Sequence, residues 1–155
     1  MYMKFIRIGP KDGRLFDSIV NNDYAFVKFY SPGCFHCNEM AAEWDALENA
    51  IGKDIKKNVN IIEVHVNAIS SIKSKCANNI TGFPTIMEVK SGGIPGVEYN
   101  GPRTSHDFIQ FINSTFPSHQ KKIRRSKNTR IKRKLHTKPK RKRQTRRLKN
   151  KKSTF

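Results

Sequence analysis

The sequence predicts an α/β domain with a mixed, largely parallel central sheet covered by helices on both faces, followed by a basic tail. Strand-like apolar runs alternate with helix-like periodic segments up to about residue 116, which is typical of this class. A Ser-Gly-Gly turn near the end of the alternation predicts a closing antiparallel hairpin. The charges divide the chain, because residues 1–120 contain 12 Lys/Arg and all 12 Asp/Glu, whereas residues 121–155 contain 19 Lys/Arg and no acid. We therefore place a folded domain at 1–117 and a disordered tail at 118–155.

The first half of the domain contains two strands and two helices. A short strand is expected at residues 3–8 and a helix at 15–20, where apolar residues have helical spacing. Residues 24–30 are aromatic, β-branched and almost continuously apolar, as in a strand buried on both faces. After the Ser-Pro-Gly turn, residues 34–50 carry an apolar residue every three or four positions, which predicts an amphipathic helix.

The second half continues the alternation and gives the order βαβαβαββα. A β-type run at 59–66 is followed by a helix at 69–78. Two short strands at 85–89 and 97–99 flank the Ser-Gly-Gly turn. A threonine and a serine near residue 104 can cap the last helix.

Cys34 and Cys37 form a C-x-x-C pair where the 24–30 strand passes into the following helix. Residues three apart in the first helical turn lie on one face, close enough for a reversible disulfide. The helix N-terminus favours the thiolate of Cys34. Three cysteines form no disulfide framework, so the pair is catalytic or metal-binding, and a zinc site using Cys34, Cys37, Cys76 and a histidine is the alternative. Otherwise Cys76 is expected to be an inert core residue.

Three separated motifs resemble the thioredoxin superfamily and, within it, domains of the protein disulfide isomerase type. They are FYSPGCFHC at residues 29–37, GFPT at 82–85 and YNGPRT at 99–104. The resemblance covers about residues 1–116. It implies the thioredoxin fold and a thiol-disulfide oxidoreductase with no cofactor beyond its own redox-active disulfide. The implied partners are protein thiols and disulfides, and the implied state is a monomeric domain.

The resemblance also assigns roles to site residues. Cys34 attacks the substrate disulfide, and Cys37 resolves the mixed disulfide. His36 stabilises the thiolate and makes the disulfide a better oxidant. Pro84 corresponds to the cis-proline that, with Phe83 before it, presents backbone to a substrate. Arg103 corresponds to an arginine that lowers the pKa of the resolving cysteine. For His36 and Arg103, a plain exposed side chain is the alternative.

The sequence departs from these relatives around the site. Gly33 replaces a tryptophan, which predicts a more open rim, and Phe35 replaces a small residue and can supply apolar contact surface. Ala42 replaces a helix proline, which predicts a less kinked helix. Lys28 stands where relatives keep a buried acid, and the usual lysine partner of that acid corresponds to His65.

Two interpretations of Lys28 remain open. Glu63 lies two residues before His65 on the same strand face, so the ion pair of the relatives could be inverted, with Lys28 as the cation. Alternatively, the Lys28 side chain packs only its stem and extends its ammonium group to solvent.

The tail contains repeated basic clusters and too little apolar surface to fold alone. Aromatic residues are absent until Phe155, so phosphate contact without sequence preference is expected rather than base stacking. The residues expected to contact nucleic acid are Arg124, Arg125, Lys132, Arg133, Lys134, Lys140, Arg141, Lys142, Arg143, Arg146 and Arg147. A nuclear localisation signal and adhesion to ribosomes or anionic lipid are alternatives, with membrane the weakest because no amphipathic apolar face or lipidation motif is present.

The sequence contains no apolar run of membrane-spanning length, no signal peptide pattern and no C-terminal retention signal. We therefore expect an intracellular, non-secreted protein in a compartment that contains nucleic acid, such as cytoplasm, nucleus or a virus particle. A thioredoxin-like domain with a basic tail also resembles redox proteins of large DNA viruses. The rival hypothesis is a non-catalytic structural protein that binds nucleic acid on a thioredoxin-like scaffold.

Overall fold

A mixed five-stranded sheet forms the centre of the domain in the computed structural model, which describes residues 3–78 and 80–118. The strands are β1 (Phe5–Ile8), β2 (Ala25–Tyr30), β3 (Asn60–His65), β4 (Thr85–Lys90) and β5 (Ile94–Glu98). The helices are α1 (Gly13–Val20), α2 (Phe35–Glu39), α3 (Ala41–Ala50) and α4 (Ser105–Thr115). Two short 3₁₀ helices, Val66–Ser71 and Lys75–Ala77, lie between β3 and β4.

The strands are ordered β1-β3-β2-β4-β5 across the sheet. β1 and β2 run parallel to β3, whereas β4 runs antiparallel to both β2 and β5. The sheet is therefore less parallel than the sequence indicates, because β4 is reversed relative to β2. Central β2 is buried on both faces, as its continuous apolar sequence predicts. The loop after β2 consequently leaves the middle of the sheet, and this loop carries the dithiol.

Two apolar layers cover the sheet. Side chains alternate along β2, so Phe29 joins α1 and the 3₁₀ helices in one layer, while Phe26 joins α3 and α4 in the other. The second layer is rich in aromatic contacts, and Phe26 packs against Trp44 and Phe108 at ring-centroid distances of 5.2 and 5.9 Å. This layer fixes α3 against the sheet, and α3 follows directly on the dithiol helix α2.

Two predicted helices differ from the structure. The helix expected at 34–50 is interrupted at Met40, whose backbone (φ −92°, ψ 1°) ends α2 and begins α3. The expected single helix is therefore two helices, whereas the smaller kink expected from Ala42 in place of a proline stays a prediction. Residues 34–50 contain no glycine or proline, and no side chain caps the start of α3, so no helix-breaking residue marks the position of the break. The helix expected at 69–78 is replaced by the two 3₁₀ helices.

No helix within residues 3–78 and 80–118 combines the length and the apolarity that crossing a membrane requires. The predicted tail contacts, Arg124 to Arg147, lie outside the described residues, as does most of the predicted tail segment 118–155.

Candidate active site

Cys34 and Cys37 are joined by a disulfide bond at the start of α2, with their Cα atoms 5.2 Å apart. Cys34 is the N-cap residue, and the backbone N–H of Cys37 donates to its sulfur at 3.1 Å. Cys34 is partly exposed, whereas Cys37 is only 3% exposed. Only the Cys34 sulfur can therefore meet another protein. The same N–H would stabilise a Cys34 thiolate in the reduced state.

The Phe83-Pro84 segment lies beside the dithiol. The carbonyl oxygen of Phe83 is 3.4 Å from the Cys34 sulfur, and the peptide bond between Phe83 and Pro84 is cis. The Thr85 hydroxyl donates to the Gly82 carbonyl at 2.7 Å and fixes the start of β4. The group of this loop that lies next to the Cys34 sulfur is thus a backbone carbonyl and not a side chain.

The rim of the site is open and carries an aromatic ring. A Cβ added at Gly33 would have no neighbour within 4 Å. No other side chain therefore fills the space that the tryptophan of relatives would occupy. Phe35 is 72% exposed, and its ring packs edge-on against the His36 ring at 5.5 Å. Phe35 therefore presents apolar surface next to the sulfur that a substrate must reach.

His36 is an exposed residue that pairs within its own helix. Its Nδ1 lies 3.2 Å from the Glu39 carboxylate, and both side chains are more than half exposed. Glu39 is not among the site residues expected from the sequence, although its three-residue spacing from His36 on a helix is a signal for such a pair. The role of His36 in stabilising the thiolate stays a prediction, and the Glu39 carboxylate is the acidic group that contacts its ring.

Lys28 is buried beneath α3 rather than extended to solvent. It is 3% exposed, and its Nζ lies 2.9 Å from the carboxylate of Glu63, its register partner on β3. The ammonium group also lies over the rings of Tyr30 and Trp44, at 5.3 and 5.0 Å from their centroids. The arrangement is thus the inverted ion pair, with the cation on β2 and the acid on β3.

Glu63 also connects this pair to the surface. Arg7, its register partner on β1, lies 3.2 Å from Glu63 through Nε and donates to Asp45 of α3 at 3.0 Å. His65 does not pair with Lys28, because the β2–β3 register sets it opposite Tyr30. The His65 ring packs against the Tyr30 ring at a centroid distance of 5.6 Å. The His65 Nδ1 accepts from the Asn67 N–H and caps the first 3₁₀ helix.

Arg103 is exposed on the loop between β5 and α4. It lines a shallow groove of about 210 Å³ together with His36, Glu39, Met40 and Thr104. The structure thus brings Arg103 to the same groove as His36, and does not bury it next to Cys37.

The third cysteine is separate from the dithiol. Cys76 is buried in the α1 layer, and burial raises the pKa of its thiol to about 12. It therefore stays protonated and unreactive at neutral pH. Within residues 3–78 and 80–118, no group of three or more His, Cys, Asp or Glu side chains is arranged to hold a metal ion.

Comparison with known proteins assigns the chain to a family. The family model for thioredoxin matches residues 9–114. Among curated proteins, the chain is 33% identical over 114 residues to a probable protein disulfide-isomerase A6 of Medicago sativa, covering 67% of this chain and 30% of that protein. The chain thus spans about a third or less of the length of such relatives.

Solved structures agree in fold. The J-Trx1 fragment of ERdj5 superposes with a TM-score of 0.56 at 26% identity, covering 71% of this chain and 50% of that fragment. The oxidised thioredoxin from Plasmodium falciparum gives a TM-score of 0.53 at 22% identity, covering 72% of this chain and 99% of that protein. The predicted thioredoxin fold is confirmed, and the chain belongs to the thioredoxin family.

Proposed function

We propose that this chain is a thiol-disulfide oxidoreductase that exchanges electrons with protein substrates through Cys34 and Cys37. The observation that carries the proposal is the unequal exposure of two bonded cysteines at a helix N-terminus, one accessible and one buried. Similarity to the thioredoxin domain of protein disulfide isomerases supports it.

In the reducing direction, the Cys34 thiolate attacks one sulfur of a substrate disulfide. A mixed disulfide forms, and the second substrate sulfur leaves as a thiolate that takes up a proton. The Cys37 thiolate then attacks the Cys34 sulfur, which restores the Cys34–Cys37 bond and releases, as a thiolate, the substrate sulfur that was bonded to Cys34. Two electrons pass from the dithiol to the substrate, and the reverse sequence oxidises substrate dithiols.

Equilibration with glutathione buffers tests the proposal. Because the resemblance to disulfide isomerase domains gives His36 the role of stabilising the thiolate, we expect reversible two-electron exchange at about −180 to −210 mV, well above the roughly −270 mV of thioredoxin. Differential alkylation followed by mass spectrometry measures the reduced fraction of the pair. A pair that does not exchange would contradict the function, and a value near −270 mV would contradict only the role of His36.

We also propose that the basic tail holds the enzyme on nucleic acid, in a compartment where nucleic acid is present. The support is the concentration of 19 Lys/Arg and no acidic residue in residues 121–155, beside a domain whose own charges balance. Binding through phosphates should show no sequence preference.

Removal of residues 121–155 should abolish duplex DNA binding and leave disulfide reduction nearly unchanged. For the full chain, log affinity should fall linearly with log salt, with a slope of about −0.9 per phosphate neutralised. Fluorescence anisotropy at several salt concentrations measures the slope, and circular dichroism checks that residues 1–120 remain folded. Salt-sensitive DNA binding retained by residues 1–120 would refute the tether.

A further inference from the structure

The groove that contains Arg103 adjoins the dithiol but is separate from the Phe83–Pro84 loop. His36, which stands between the two cysteines, forms one wall, and neither Phe83 nor Pro84 lines the groove. Its volume of about 210 Å³ is below the roughly 300–1,000 Å³ of small-molecule sites. The groove is therefore suited to one side chain of a substrate polypeptide rather than to a cofactor.

Most of the polar groups in this groove already have partners. Glu39 pairs with His36 at 3.2 Å. The Thr104 hydroxyl donates to the Asp107 carboxylate at 2.5 Å and accepts from the Asp107 N–H at 3.2 Å. Arg103 is different, because no carboxylate within residues 3–78 and 80–118 forms an ion pair with it. Its guanidinium is the cation left to bind a ligand.

The backbone that carries Arg103 is fixed on both sides. The Tyr99 hydroxyl donates to the Pro102 carbonyl at 2.5 Å. On the other side, the Ser105 N–H donates to the Glu43 carboxylate at 2.7 Å, which lowers the pKa of that carboxyl and joins the start of α4 to α3. The backbone that carries Arg103 is thus held against α3 before a substrate arrives, so this loop does not have to become ordered on binding.

We propose that Arg103 binds an acidic side chain near the substrate disulfide and so makes the protein favour acidic substrates. A planar guanidinium matches a carboxylate through two parallel hydrogen bonds. The inference rests on the proposed function, since the ligand is a substrate of Cys34. Because the groove is open to solvent, the expected preference is modest, about two- to fivefold in kcat/KM.

Two disulfide peptides that differ only by Glu or Gln beside one cysteine test this inference. We expect wild type to reduce the Glu peptide about two to five times faster, and the preference to weaken with added salt. The ratio should fall to about one in Arg103→Gln and be partly kept in Arg103→Lys. The matched control is Arg14→Gln, which removes an exposed cation of α1 that does not line the groove and should keep the ratio.

Three outcomes would overturn the inference. A ratio that survives in Arg103→Gln would show that the arginine does not bind the acid. An equal loss of rate on both peptides would assign Arg103 to the resolving cysteine instead of the substrate. If wild type reduced neither peptide, the proposed oxidoreductase function would fail too. The first two outcomes leave that function intact, because wild type still reduces the peptides.

Discussion

We expect insulin reduction to disappear when Cys34 is replaced by serine, with a loss of more than about a thousandfold in rate. The hydroxyl cannot form a mixed disulfide, and Cys37 cannot replace Cys34 because it is only 3% exposed. Turbidity of the released insulin chains, with dithiothreitol as reductant, measures the rate. The matched control is Cys76→Ala, which changes a buried thiol that is protonated at neutral pH and should keep full activity.

Cys37→Ser should separate attack from release. The partly exposed Cys34 still attacks, but no internal thiolate frees the substrate, so one equivalent of mixed disulfide should accumulate. Multiple turnovers by Cys37→Ser at the wild-type rate would show that Cys37 does not resolve the intermediate.

The second large effect is on the free energy of unfolding and comes from the Lys28–Glu63 pair. Lys28→Met leaves Glu63 without its buried partner, although Arg7 still contacts it, so we expect a loss of about 3 kcal/mol, the lower end for a broken buried pair. Lys28→Met combined with Glu63→Leu should recover most of this loss, because both charges are then removed. Chemical denaturation of the oxidised protein measures both values.

Lys90→Met is the matched control for that experiment, since it makes the same change at an exposed strand position and should cost less than about 0.5 kcal/mol. If Lys28→Met cost no more than Lys90→Met, or if the double variant were less stable than the single one, the loss could not be assigned to a Glu63 carboxylate left without its buried partner.

The same pair should also influence the release of substrate. A cation at the position where relatives keep an acid stabilises thiolates but does not accept their protons, so we expect slow resolution by Cys37. Lys28→Glu alone would set two carboxylates opposite each other on β2 and β3, because Glu63 is the register partner. The exchange Lys28→Glu with Glu63→Lys avoids this and should speed release at least about tenfold. Stopped-flow kinetics that show an unchanged release rate would exclude Lys28 from this step.

The elements nearest the dithiol could be predicted from the sequence because their patterns are local. The apolar run of β2 and the cysteine spacing each determine structure within a few residues, and both appear where expected. The break at Met40 could not be predicted, since residues 34–50 contain no glycine or proline to signal it.

The ion pair beneath α3 depends on long-range geometry. Whether Lys28 meets Glu63 or His65 is decided by the register of two parallel strands whose connection runs through α2 and α3. A two-residue shift keeps the same strand face, so alternation alone cannot separate Glu63 from His65. The groove at Arg103 likewise forms only when the loop before α4 folds against α2.

The site of substrate attachment tests the dithiol mechanism most directly. After Cys37→Ser is mixed with a disulfide substrate, proteolysis and mass spectrometry locate the covalent link. We predict one substrate chain bound to Cys34, with Cys76 unmodified. Attachment at Cys76, or no adduct at all, would contradict an exchange that begins at Cys34.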